Sequence, residues 1–162
     1  MKKQAVIHHY EETIQFVRSL EPMSEQYWRT PIAAGKWTIA EIVAHFIPWD
    51  VFVQSKRLPY FHSSEPLPPG PQAAQVNHEA ADWARITPVS SIVNEFVEGR
   101  DKLIASIDSI SEADWQTPFQ IGETNLTIAR YFENLAAHDR HHMVQITDLL
   151  DSLDDTTSDS SI

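Results

Sequence analysis

The segment HDRHHMVQI, residues 138–146, places three of the chain's eight histidines within five positions. Imidazole ligates transition metals and shuttles protons near neutral pH, so metal binding is the first chemistry to consider. On a helix, residues four apart are separated by about 6 Å along the axis and about 40° around it. His138 and His142 would then point the same way and reach one ion. His141 stands three positions from His138, about 60° off on the other side; it can pair with His138 only by leaving the apolar stripe. A catalytic transition-metal site usually takes three protein ligands and keeps a position open. The third ligand should therefore come from another element facing the same interior, and His45 is the best candidate. His8, His9, His62 and His78 have no comparable placement.

The elements that must position these groups read as helices. Residues 3–20 carry Ile7, Tyr10, Ile14 and Val17 at spacings of three and four, the stripe of an amphipathic helix. A second helix begins at WTIAEI, with Thr38 as cap and Glu41 closing a capping box. Thr38, Ile42, His45, Trp49 and Phe52 form its inward line, and Pro48 inside it predicts a kink or local break. Residues 59–71, with five of the ten prolines, predict an extended crossover. A short helix is expected over 74–84. A third long helix should open with Thr87 as cap and Pro88 in its first turn. Its stripe is Val89, Val93, Phe96, Leu103, Ile107 and Ile110, with Arg100 in the skipped position. Arg100 is expected to lead its charge past the core edge; the alternative is a buried charge that needs a partner.

Residues 111–126 read as irregular, with Pro118 and Gly122 as breakers. The last helix is expected over about 127–151, along Ile128, Tyr131, Leu135, His138, His142, Gln145 and Leu149. The expected architecture is all-α: a four-helix bundle over residues 1–152 with a long proline-rich crossover between the second and third long helices. The acidic segment 153–162 reads as a disordered tail.

Composition narrows the function. A net charge of −11 argues against nucleic acid and against an anionic membrane surface. No apolar stretch approaches the length of a membrane span. The absence of cysteine removes disulfides, thiolate metal sites and a cysteine nucleophile, and fits a reducing cytoplasm. HEAAD, residues 78–82, imitates the zincin helix, but Asp82 stands where the second histidine belongs. Neither a nucleophile elbow nor a glycine-rich phosphate loop is present.

Taken together, GKWTIAEIVAHF (35–46) and HDRHHMVQI (138–146) resemble the two signature segments of the DinB/YfiT-like superfamily. VNHEAA after the crossover and SISEADWQTP after the third long helix are similar too, so the resemblance spans about residues 5–150. It implies a four-helix bundle and a divalent metal, usually zinc or nickel, held by one histidine of the second long helix and two of the last. Here these are His45, His138 and His142. It also implies a homodimer, and activities from thiol transfer with a low-molecular-weight cosubstrate to hydrolysis in stress and detoxification.

The expectation is thus a metal-dependent transferase or hydrolase acting on a small molecule. Three neutral ligands leave the ion its full charge, which acidifies a bound water or thiol. Any thiol must come from a cosubstrate. No catalytic residue is assigned: Glu41 should be occupied with capping, Asn134 can orient a water or substrate, and Asp139 can support a neighbouring imidazole. Trp49 and Tyr131 are expected in the core rather than at a pocket. The rival is a non-catalytic, metal- or ligand-binding dimeric module whose metal would be closed off by a fourth protein ligand.

Overall fold

A computed structural model describes residues 1–158. In chain order the elements are α1 (Lys3–Leu20), α2 (Glu25–Trp28), α3 (Ile39–Lys56), a 3-10 turn at Leu58–Tyr60, α4 (Ala73–Arg85), α5 (Val89–Asp108), α6 (Glu112–Trp115), β1 (Pro118–Ile121), β2 (Thr124–Thr127) and α7 (Ile128–Ser158). The four long helices α1, α3, α5 and α7 form the expected bundle, and the proline-rich stretch is the long connection between α3 and α5. None of these helices is long and apolar enough to cross a membrane.

Local chemistry sets the boundaries. The Thr38 hydroxyl accepts the Glu41 backbone N–H at 3.2 Å and starts α3. The capping box is incomplete, because Glu41 Oε1 accepts from the Thr38 hydroxyl at 3.1 Å and Oε2 accepts from Arg85. α3 runs unbroken through Pro48 despite the backbone donor that proline lacks. α5 starts one residue later than expected: Pro88 is its cap, and the Thr87 hydroxyl donates back to the Trp83 carbonyl. Lys3 donates to the carbonyls of Asp108 and Ile110, placing a cation at the C-terminal end of α5.

Residues 118–127, expected to be irregular, form a two-stranded antiparallel hairpin with Ile121 opposite Thr124. Gly122, at φ +57°, takes the first position of its two-residue turn, a conformation that suits glycine. α7 runs to Ser158, past the expected end near 151 and into the segment expected to be a tail; residues 159–162 lie outside the described residues.

The core has two parts. One gathers Trp28, Ile39, Ile42, Phe96 and Ile146; the other gathers Val6, Tyr10, Leu103, Trp115 and Phe132. Arg100 lies between them, 1% exposed, with its guanidinium 4.8 Å from the Tyr10 ring centroid on one side and 4.9 Å from Phe96 on the other. The charge therefore does not reach water, contrary to the snorkelling expectation. It donates to Asp50 Oδ2 at 2.7 Å, and to Asp139 Oδ2 and Oδ1 at 2.5 and 3.2 Å. His9 Nε2 donates to the same Asp139 Oδ2 at 3.0 Å.

Candidate metal centre

α3 and α7 do not pack closely along their backbones. The gap between them holds His45, His138 and His142, whose ligand nitrogens all lie within 4.8 Å of one another. The three sequence candidates are brought together. His141 points outward and is exposed, though its ring centroid lies 5.4 Å from that of His142. His78 pairs with Asp82 on the exposed side of α4, so the zincin-like segment builds no site.

Each imidazole has a distinct setting. His45 is buried, and its Nδ1–H donates to the Ile42 carbonyl one turn back. Its Nε2 is buried without any hydrogen-bond partner. Burial lowers its pKa to about 3, helped by the proximity of His142 and His138, so this ring is neutral at physiological pH. The His142 Nδ1–H donates to Gln145 Oε1 at 2.9 Å, which leaves its Nε2 with a lone pair. That Nε2 lies 3.2 Å from His138 Nε2. Burial also lowers the pKa of both His138 and His142.

This donor set fits a divalent cation. Two nitrogens about 2.0–2.1 Å from a tetrahedral ion stand about 3.3 Å apart, close to the observed pair. A buried, unpartnered Nε2 carries a desolvation cost that an ion would remove. Three histidines and no carboxylate leave positions open, with no fourth ligand among the described residues. Trp37 lies against His45 at 4.9 Å between ring centroids and stacks over His142 at 6.5 Å. Phe46 lies against His45 at 4.4 Å.

The site opens onto a cavity of about 490 Å³, within the usual size of a small-molecule pocket. His45, Trp49 and Phe52 line it in succession along α3, and Tyr131, Asn134 and His138 along α7. Trp49 and Tyr131, expected in the core, are pocket walls. The Trp49 indole donates to Asn77 Oδ1 at 2.8 Å. Burial pushes the Tyr131 hydroxyl up to about 12, against the opposing effect of Arg57. Asn134 is exposed at the rim.

The sequence reading missed the network behind the histidines. Burial tends to raise Asp139, but Arg100 and His9 overcome it and hold the carboxyl at about 2. Asp50 is pushed up to about 7 by burial, against the pull of Arg100. Asp139 therefore serves a fixed cation; its imidazole partner is His9, not a candidate ligand. A signal for His9 was present, since it sits three after Val6 and four before Thr13 on the buried line of α1.

No curated protein matches the chain in sequence. Its fold is similar to that of YfiT from Bacillus subtilis, with a TM-score of 0.76 at 18% identity over 93% of this chain and 87% of that one. YfiT is described as a probable metal-dependent hydrolase with an unusual four-helix bundle topology. The DinB superfamily model matches residues 8–146, and the chain belongs to that superfamily.

Proposed function

We propose that this protein is a metal-dependent hydrolase of a small molecule, with His45, His138 and His142 as the ligands of one divalent ion, zinc or nickel. The observation that carries the reading is the orphaned Nε2 of His45, aimed at two further imidazole nitrogens beside an open cavity. A divalent ion in such a site supplies Lewis acidity and lowers the pKa of water toward neutrality. The chain's own contribution is positional. The Ile42 carbonyl and Gln145 fix two ring tautomers, Trp37 and Phe46 hold the rings, and Asn134 offers an amide at the cavity rim. Among the described residues, no serine, threonine, cysteine or lysine lines the cavity.

Thiol transfer is the second reading. A chain without cysteine must take its thiol from a cosubstrate, and the cavity is larger than a water nucleophile requires. Either activity suits a homodimer at work in the cytoplasm. A purely structural site is disfavoured, because no fourth ligand closes the cluster among the described residues.

The test is to strip the protein of metal, reload it with zinc or nickel, and assay ester and amide hydrolysis beside thiol conjugation to electrophiles. The expected result is metal-dependent hydrolysis that is lost in His45→Ala. Conjugation without hydrolysis would replace the first reading by the second. Absence of metal-dependent turnover in both panels would overturn both.

A further inference from the structure

The cavity holds a second, oppositely demanding feature at its far end. Arg57 is 7% exposed, yet among the described residues no carboxylate forms an ion pair with it. Its guanidinium lies over the Phe52 ring at 4.5 Å from the centroid. Nη1 donates to the Pro68 carbonyl at 2.7 Å and to the Lys56 carbonyl at 3.0 Å. These are neutral acceptors, and they satisfy hydrogen bonds without balancing charge. The crossover backbone covers the stack, since a Cβ built on Gly70 would lie 3.8 Å from Arg57 Nη2 and 3.9 Å from Phe52. A cation withdrawn from water without a counter-ion is costly, and such groups are ordinarily paired. The other arginine lining the cavity, Arg100, is saturated by two carboxylates.

We propose that Arg57 is the anchor for a carboxylate on the substrate, so that the molecule taken is an apolar or aromatic monocarboxylate lying along α3. This rests on the reading of the cavity as the substrate site and specifies its substrate class. His45 and Phe52 are seven positions apart, two turns on one face, or about 10 Å along a helix axis. The carboxylate end would thus sit roughly that far from the histidines, with Trp49 and Phe52 along the body of the molecule. A guanidinium binds a carboxylate through two parallel charge-assisted hydrogen bonds, which gives orientation as well as affinity. A monoanion suits the site better than a dianion, because Asp50 and Asp139 also line the cavity and, among the described residues, Arg57 is its one cation without a carboxylate partner.

The test uses metal-free protein, so that no probe can bind through an ion. Phenylalkanoates of increasing chain length, from phenylacetate to 6-phenylhexanoate, are compared by calorimetry with their primary amides. Wild type is expected to bind the best-fitting carboxylate about tenfold tighter than its amide. Arg57→Met should abolish that preference, and Arg57→Lys should keep part of it. Equal binding of acid and amide, a preference that survives Arg57→Met, or failure of wild type to bind any carboxylate would overturn the assignment. If Arg57→Met does not fold, Arg57→Lys decides: it keeps the charge without the planar fork, so an undiminished preference counts against Arg57. Metal affinity of the Arg57 variants should equal that of wild type. Carboxylate preference without metal-dependent turnover would sink the hydrolase reading and keep the anchor; turnover indifferent to Arg57 would do the reverse.

Discussion

His138 and Asp139 are neighbours on α7, yet the polar groups around them follow opposite rules. Asp139 belongs to a closed set between the two halves of the core: it accepts from His9 and from Arg100, and Arg100 also donates to Asp50. His138 belongs to an open set of three imidazoles, two of which, His45 and His138, line a cavity, and one of which, His45, carries a buried nitrogen with no partner. The closed set is architecture, since each of its charges has a counter-charge within the chain. The open set is incomplete, and what would complete it lies outside the chain. Burial and histidine content do not separate the two; satisfaction does.

Substitutions can break or sharpen this contrast. The largest expected effect is on the closed side. Asp139→Asn leaves Arg100 short of a counter-charge and should cost about 3–5 kcal/mol in denaturant unfolding. The difference should also depend on pH. Asp139 sits at about 2 in the fold, below the ordinary carboxyl value of 3.8. Its contribution is therefore fully present above pH about 4 and lost as pH falls through about 2. The gap between wild type and Asp139→Asn in metal-free protein should narrow over that window; a gap that widens would mean that Asp139 is not the stabilised anion.

On the open side, His45→Leu should change metal-free stability by less than about 1 kcal/mol, because the loss of the Nδ1–H bond to the Ile42 carbonyl is offset by removing a buried Nε2 that has no partner. The same substitution should abolish metal binding, so that function and stability separate at this position. A loss of several kcal/mol without metal would instead place His45 among the architectural residues. Gln145→Ala should weaken metal affinity about 10- to 100-fold by freeing the His142 tautomer, as measured by competition with a chelating dye. His141→Ala, on the exposed face of the same helix, should alter neither property.

The inward line of α3 was legible because its cap, stripe and histidine agree, and His45, Trp49 and Phe52 do share one face. On α7 the reading was displaced by about one position. The buried line is Ile128, Phe132, Ala136, Asp139, Ile146 and Leu149, whereas Tyr131, Leu135, His138 and His142 form the adjoining flank. An apolar cavity wall has the same periodicity as a core, and Ala136 and Asp139 give little hydrophobic signal, so the pattern alone does not distinguish the wall from the core. His138 and His142 come together all the same, since four-residue spacing brings two side chains together on either face. Arg100 and Asp139 are 39 residues apart in sequence, and no local pattern announces such a pair. The hairpin was missed because Gly122 was read as a breaker, when glycine at the first turn position is itself a hairpin signal.

The central claim is that three particular imidazoles share one ion. Zinc stoichiometry by equilibrium dialysis tests it most directly, on wild type and on His45→Ala, His138→Ala, His142→Ala and His141→Ala. The account predicts one tightly held ion per chain in wild type and His141→Ala, and loss of that ion in each of the other three. Full occupancy in all three of those variants, or loss in His141→Ala, would contradict it.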